Sequence, residues 1–314
     1  MSVTKFKQVQ ADQFLGSVYE ASPFGKIWYV DVTNGSDGNL GDGPDSAFAS
    51  IGAAISASVA TRGDTVVIAP GTYTITSALA PKAFTTFRAA VVVPQTPSVS
   101  IRGDITNHVT VDVDGVRFIG IEFRATGATT GAASNRDLVK LADTTAITGG
   151  VTFEDCVFNG ADATGPTQNG VAGIHLADAT NAVTGLVVRR CLFRDLGKTP
   201  IEVGVKGMPM AKIEDNIFAI DTPAGMGIFL ADTTAYATGK GFVIRQNEFI
   251  GNSATTTNSV GIVIQGTLNT TAAGMIRDNF FAYHATAAIS VAKTPSSIIN
   301  NYNGAGAGGT LLDN

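Results

Sequence analysis

The sequence predicts an all-β fold, a parallel β-helix solenoid of about eight or nine coils, closed at its N-terminal end by an amphipathic helix. Six apolar runs end on phenylalanine in a similar local pattern, 35, 35, 25, 31 and 32 residues apart, and repeats of this length are typical of solenoids. A second short apolar unit follows each phenylalanine. Both kinds of run are short, rich in Val, Ile and Phe, and bounded by Gly, Asn, Asp or Thr, which indicates strands. The phenylalanines are Phe123, Phe158, Phe193, Phe218, Phe249 and Phe281.

A small or polar residue precedes most of these phenylalanines by two positions. Strands of successive coils lie about 4.8 Å apart, so side chains at one register stack on each other. We therefore expect an interior column of phenylalanine rings beside a ladder of asparagine amides that satisfy one another's hydrogen bonds. The ladder positions are Cys156, Cys191, Asn216, Asn247 and Asn279, with Asn301 as a shortened further member.

Cys156 and Cys191 share that register on adjacent coils, which allows a disulfide or two buried thiols. Stacked side chains point in parallel about 4.8 Å apart, whereas bridged Cβ atoms lie about 3.8 Å apart. Free thiols are therefore the favoured interpretation, and they suit synthesis in a reducing cytosol.

Residues 27–76 predict the cap and the first coil. Trp28–Val32 is predicted as a strand, and the strands Thr65–Ala69 and Thr72–Ile75 are joined by a Pro-Gly turn. Between them, a helix at about 45–60 has one apolar face and would cover the open end of the stack. Its N-cap is predicted at Asp45 or Ser46, and its apolar face comprises Phe48, Ile51, Ala54, Ile55 and Val59.

The segments YVD, NGSDG, PDSAFASIGAAI and GDTVVIAPGTYTI resemble the N-terminal cap and first coil of right-handed parallel β-helix proteins of the pectin-lyase-like type. Coils of the form I-x-x-N-x-F, such as residues 213–218, resemble the same family. The resemblance covers roughly residues 27–303 and implies a right-handed helix. It implies no single activity, because the family includes polysaccharide lyases, glycoside hydrolases, phage tailspikes and proteins without known catalysis.

Composition excludes several classes of partner. The net charge is −5 and no basic stripe is present, so nucleic acid is not expected as a partner. The sequence contains no run of 18 apolar residues, so no membrane-spanning helix is predicted. Residues 1–26 lack the apolar stretch of a signal peptide and are predicted to be an attachment or packing segment, and residues 304–314 a flexible tail. We expect synthesis in a host cytoplasm and location in the virion.

The strongest candidate site is a column of outward-facing residues in the second apolar unit of successive coils. Lys140, His175 and Glu202 occupy equivalent positions, followed by Phe229. His175 and Glu202 suit proton transfer, Lys140 and His175 suit neutralisation of an acidic sugar, and Phe229 suits sugar stacking or a subunit contact. A solvated ladder of opposite charges is the favoured alternative. The catalytic motifs of polygalacturonase-like hydrolases and of calcium-dependent pectate lyases are not recognisable in the sequence.

A second candidate pair is Asp143 and Asp178, which stand in a repeated turn. Two such carboxylates on adjacent coils, about 5 Å apart, would suit a retaining glycosidase or a cation site. Capping of each Asp's own turn is the favoured alternative, because the turn recurs. Glu154, Arg189, Glu214 and Arg245 alternate in sign at one register, which predicts a charge ladder without a function.

No metal or cofactor is expected. Asp37, Asn39 and Asp42 lack the spacing and the distal Glu of an EF-hand, which favours a plain turn. His108 and His284 have no second ligand at the spacing of a zinc site.

These observations, with the resemblance, favour a structural virion-associated protein, a phage capsid or tail appendage, over an enzyme. The resemblance to tailspikes implies a homotrimer, which would contact other virion proteins through residues 1–26 and a host-surface glycan through its side. Two alternatives stay open. One is a polysaccharide lyase or glycoside hydrolase acting through His175 and Glu202, and the other is a glycan-binding adhesin without turnover.

Overall fold

The structure, a computed structural model, describes residues 25–126, 136–160, 171–176, 181–204, 207–220, 225–230, 241–251, 260–264, 274–282, 287–291 and 297–303. These residues form a right-handed parallel β-helix in which each full coil passes through sheets A, B and C in turn. Every strand pairing is parallel and joins neighbouring coils, as Phe158 on Phe193 illustrates. The predicted all-β solenoid is confirmed.

Sheet A has ten strands: β1 Ile27–Val30, β2 Thr65–Ile68, β4 Thr86–Ala89, β7 Val116–Ile119, β10 Val151–Glu154, β13 Val187–Arg189, β16 Lys212–Glu214, β19 Phe242–Arg245, β22 Gly274–Arg277 and β25 Ser297–Ile299. Sheet B has nine: β3 Gly71–Thr74, β5 Val99–Gly103, β8 Ile121–Ala125, β11 Val157–Asn159, β14 Leu192–Arg194, β17 Ile217–Ile220, β20 Glu248–Gly251, β23 Phe280–Ala282 and β26 Tyr302–Asn303. Sheet C has seven: β6 Asn107–Val111, β9 Arg136–Leu141, β12 Val171–Leu176, β15 Ile201–Val203, β18 Met226–Leu230, β21 Val260–Ile264 and β24 Ala287–Val291. The predicted count of about eight or nine coils differs in detail from the structure, whose sheets contain ten, nine and seven strands.

The predicted phenylalanine column is present and completely buried. Phe158 and Phe193 stack with ring centroids 4.6 Å apart, and Phe193 and Phe218 with 4.8 Å. Stacked rings of this size bury a large apolar area and add the attraction of offset aromatic pairs. The column therefore fixes the register of sheet B along the axis of the solenoid.

The asparagine ladder is present beside it. The side-chain amide of Asn216 donates to Oδ1 of Asn247 at 2.9 Å, and that of Asn247 donates to Oδ1 of Asn279 at 2.9 Å. The amide of Asn279 continues to Asn301 at 3.0 Å. Each buried amide thus satisfies the next, which removes the cost of burying it alone.

A recurring left-handed residue divides each long apolar run into two strands. Segment VTFEDCVF is one run in sequence, yet β10 ends at Glu154 and β11 begins at Val157. Between them Asp155 has a φ of 54°, a conformation in which Asp and Asn are enriched. The same turn recurs at Arg190, Asp215, Gln246, Asp278 and Asn300, each immediately before a ladder position.

Both cysteines are free and buried, as predicted. Complete burial raises the pKa of the Cys191 thiol, which keeps it protonated. The two thiols occupy ladder positions at the end of the asparagine series, where the backbone N–H of Cys191 donates to Oδ1 of Asn216.

The predicted cap helix exists but is shorter than predicted. Helix α1 spans Ile51–Ala57, and its N-cap is Ser50, whose hydroxyl accepts from the N–H of Ala53. The prediction of Asp45 or Ser46 as N-cap is wrong, because residues 44–46 form a separate 3₁₀ turn. Ile51, Ala54 and Ile55 are buried as predicted, whereas Val59 lies beyond the helix and is exposed. Phe48 lies before the helix and pairs with Val30 in a parallel bridge.

In the described part of the chain, no helix has the length and apolar character that a bilayer span requires. The predicted attachment segment, apart from Gly25 and Lys26, and the predicted C-terminal tail lie outside the described residues, as does His284.

Candidate functional site on sheet C

The predicted column on sheet C is present in the predicted register. Lys140 pairs with His175, His175 with Glu202, and Glu202 with Phe229 on successive coils. Val263 and Ser290 continue the column. Within β12 the flanking Ile174 and Leu176 are buried while His175 is partly exposed, because alternate side chains of a strand point to opposite faces. The column therefore lies on the outer face of the solenoid.

An aspartate that the sequence analysis missed completes this site. Nδ1 of His175 donates to Oδ2 of Asp137 at 2.9 Å. Asp137 lies on β9, three residues before Lys140, so strict alternation would place it on the opposite face. Asp137 pairs with Ala172 and Val139 with Ile174, so β9 and β12 are in register. The first four residues of β9 are nevertheless all buried, and inner and outer side chains do not alternate there in exposure. A charged residue within a buried apolar strand was the available sequence signal.

The hydrogen bond to Asp137 fixes the ring of His175. A carboxylate that accepts from Nδ1–H leaves Nε2 as the second ring position, and Nε2 faces Oε1 of Glu202 at 4.0 Å. This separation is too long for a direct hydrogen bond. In the neutral imidazole with its proton on Nδ1, Nε2 and Glu202 are two acceptors that face each other across a gap.

Asp137 has one carboxylate oxygen left over. The residue is 4% exposed, and its Oδ1 has no hydrogen-bond partner among the described residues. A buried oxygen of this kind is costly to leave unpaired and is often found at functional sites. This oxygen belongs to the carboxylate that holds Nδ1 of His175, on the side of the ring away from Glu202.

Lys140 does not stand free to bind an anion. Its Nζ lies 2.6 Å from Oδ1 of Asp143, an ion pair within one coil. The predicted charge ladder would join residues of different coils, whereas this ion pair joins two residues of the same coil. Asp143 neutralises the charge of Lys140 that would otherwise attract an acidic sugar. Asp178 lies outside the described residues, so the predicted pair of Asp143 and Asp178 stays a prediction. The alternative of a lyase or hydrolase acting through His175 and Glu202 also stays one.

The charge ladder on sheet A is confirmed. Glu154 pairs with Arg189 and Glu214 with Arg245 on successive coils, with N–O distances of 2.6 and 2.8 Å. Glu154 also accepts from Arg190. Burial works to raise the pKa of Glu154, but the hydrogen bonds from Arg189 and Arg190 outweigh it and the pKa is lowered.

The acidic N-terminal loop is a turn, as favoured, and its acids hold the cap together. Asp37 accepts from the N–H groups of Ala49 and Ser50 and from the Ser50 hydroxyl. Asp42 accepts from the hydroxyl of Ser46. The described residues contain no group of three or more His, Cys, Asp or Glu that could hold a metal ion.

The outer face of sheet B carries exposed apolar side chains towards its C-terminal end, a feature that the sequence repeat did not predict. Ile217, Phe280 and Tyr302 share one outward column, in which Glu248 is the exception. Ile250 lies on the neighbouring outward column between Ala219 and Ala282. We call Ile217, Ile250, Phe280 and Tyr302 the apolar face of sheet B.

No family model and no curated protein matches the chain. Among solved structures, the deglycosylated pectin methylesterase from Aspergillus niger is 14% identical with a TM-score of 0.55, over 93% of this chain and 88% of that enzyme. A mutant pectin methylesterase in complex with a hexasaccharide is 12% identical with a TM-score of 0.52, over 92% and 91%. The tailspike of E. coli bacteriophage HK620 in complex with a pentasaccharide is 14% identical with a TM-score of 0.42, over 80% and 50%. The two pectin methylesterases establish the fold as pectin-lyase-like, and identities this low leave the activity open.

Proposed function

We propose that this protein is a structural component of a virion, a capsid or tail appendage, that assembles into a homotrimer through the apolar face of sheet B. The observation that carries the proposal is the exposure of large apolar side chains on that face. Phe280 is 42% exposed, Tyr302 is 62% exposed and Ile250 is 37% exposed. Exposed apolar residues that adjoin one another mark interaction surfaces, whereas scattered ones are ordinary.

The surroundings of this face fit a contact between copies. Strand spacing of about 4.8 Å brings the side chains of neighbouring coils into contact, so Phe280 and Tyr302 form a continuous surface with Ile250 beside them. Met275 and Ile299, on the last strands of sheet A, are also exposed. A stack of this kind is rigid along its axis, because each coil contacts its neighbours. Rods that pack side by side are suited to an appendage.

A trimer is the oligomeric state that the resemblance to tailspikes implies. Closed symmetric assemblies are the usual outcome when copies of one chain associate. The absence of recognisable catalytic motifs from the sequence supports a structural role over a lyase or a glycosidase. Attachment through residues 1–26 to other virion proteins belongs to the same proposal.

Light scattering coupled to size exclusion tests the assembly. The unaltered chain is expected to elute with three times the mass of one chain, and Phe280→Glu is expected to give monomers because it places a charge in the contact. Leu40→Glu is the matched control, since Leu40 is 72% exposed in the N-terminal loop and far from sheet B in the chain. A monomeric unaltered chain, or a trimer that survives Phe280→Glu together with Ile250→Glu, would contradict the proposal.

Mass spectrometry of purified particles tests the location. We expect the chain to be enriched in particles that carry its gene, in a fixed ratio to the other structural proteins. A chain that is abundant in the infected cell and missing from the particles would contradict a virion role.

A further inference from the structure

We propose that the gap between His175 and Glu202 on sheet C is a binding site for a primary ammonium group. The inference goes beyond the assembly proposed above, because it concerns a different sheet and holds for a monomer or a trimer. It is carried by three features of the site: its facing acceptors, its charge and the aromatic ring beside it.

The facing acceptors call for a donor between them. Nδ1 of His175 bonds Asp137, and Nε2 lies 4.0 Å from Oε1 of Glu202. In the neutral imidazole with its proton on Nδ1, the Nε2 lone pair therefore faces that oxygen. At ordinary hydrogen-bond lengths of about 2.8–2.9 Å, one nitrogen atom can donate to both. An ammonium group has three donors and no acceptor, so it satisfies both groups and retains a third hydrogen bond.

The charges favour a cation and disfavour an anion. Glu202 and Asp137 are carboxylates, and the nearest lysine on the column, Lys140, is paired with Asp143 at 2.6 Å. These groups therefore have a negative sum when His175 is neutral. A charge-assisted hydrogen bond from an ammonium is roughly twice as strong as one between neutral groups. A uronate placed in the same gap would meet like charges.

Phe229 adds an apolar surface at the next coil. It pairs directly with Glu202 in register, and its side chain is only partly buried on the outer face. An aromatic face beside a cation contributes about 0.5–1 kcal/mol at exposed sites, and it also packs against the carbon skeleton that bears the amine. Because strands of adjacent coils are about 4.8 Å apart, one ligand residue can touch both Glu202 and Phe229.

An ammonium group of this kind has two sources, an amino sugar or a simple amine. Nuclear magnetic resonance titration of the full chain with four probes separates them: chitosan tetraose, its fully N-acetylated counterpart, cadaverine and tetragalacturonate. We expect the imidazole signals of His175 to shift with chitosan tetraose and not with its acetylated counterpart, which has no ammonium. Cadaverine binding as tightly as chitosan tetraose would assign the site to simple amines and would still support the ammonium.

Two variants complete the test. Glu202→Gln is expected to weaken binding by about 10- to 100-fold, the range for loss of a charge-assisted hydrogen bond. Glu214→Gln, on the charge ladder of sheet A, is the control and is expected to leave the affinity unchanged. Failure of both amines to bind, tighter binding of tetragalacturonate than of chitosan tetraose, or equal losses in the two variants would overturn the proposal. Circular dichroism of each variant shows whether it is folded.

Discussion

Replacement of Asn247 by alanine is expected to destabilise the solenoid more than any exposed substitution. Asn247 is 1% exposed, and its side chain takes part in four hydrogen bonds. Its amide donates to the carbonyl of Ile213 and to Oδ1 of Asn279, and its Oδ1 accepts from the backbone and the side-chain amide of Asn216. Removing it affects the coils on both sides.

The magnitude follows from the groups that lose their partner. Asn279 Oδ1 still accepts from the backbone N–H of residue 247, and the side-chain amide of Asn216 still donates to Val188. The backbone N–H of Asn216 is left buried without a partner, which costs about 1–3 kcal/mol. The carbonyl of Ile213 loses one hydrogen bond but stays within the paired strands β16 and β19, a loss of about 0.5–1.5 kcal/mol, so the free energy of unfolding is expected to fall by about 1.5–4.5 kcal/mol.

Urea unfolding followed by far-ultraviolet circular dichroism measures this loss. Asn34→Ala is the control, because Asn34 is exposed and its amide donates only to the neighbouring Asp31; its effect is expected to stay within about 0.5 kcal/mol. An Asn247→Ala variant as stable as the control would refute the reasoning that the ladder stabilises the stack through its hydrogen bonds.

Three further predictions follow from buried or strained groups. Asp64 is completely buried and accepts from Trp28, from the backbone of Lys26 and Val59, and from Arg62; burial opposes ionisation, but these bonds outweigh it and lower the pKa of Asp64. The pKa of Asp64 is lower in the folded than in the unfolded chain, so its contribution to the free energy of unfolding is present above about pH 4 and is lost as the pH falls further. Asp64→Asn is expected to lower the free energy of unfolding by about 2–3 kcal/mol at pH 7 and to remove this dependence on acid. The fluorescence of Trp28 reports the unfolding. Burial lowers the pKa of His108 to about 4, so its contribution to the free energy of unfolding is complete above about pH 6.5 and is lost as the pH falls towards 4. His108→Leu is expected to abolish this pH dependence of the urea midpoint between pH 7 and 4.5. An unchanged dependence would show that another group causes it. Gln246 has a φ of 55°, and Gln246→Asn is expected to raise the free energy of unfolding by about 0.5 kcal/mol, since Asn adopts this conformation more readily; a lower melting temperature would contradict it.

The repeat made the inside of the fold predictable. Residues such as Phe193 and Asn247 recur at one register, and stacking in a solenoid places such residues directly over each other. The same repeat predicts Lys140, His175 and Glu202 in one outward column, which the strand register confirms. Prediction succeeded wherever a residue type repeated from coil to coil.

Features without repetition or with an unusual backbone were not predictable in this way. Asp137 was missed because the buried start of β9 departs from the alternation that the argument assumed. The turn at Asp155 left only a weak sequence signal, because Asp or Asn stands at four of the six such positions and Arg190 and Gln246 occupy the other two. The N-cap was misplaced because Asp37, from a distant loop, binds Ala49 and Ser50 and sets the start of the helix.

A crystal structure of the full chain is the most direct test of the stacking of coils in register. We expect the rings of Phe158, Phe193 and Phe218 to lie on one line, with successive centroids 4.6 and 4.8 Å apart. Rings that lie apart from each other, with Asn216 and Asn247 on different faces, would contradict the stacking of coils and every neighbour relationship inferred from it.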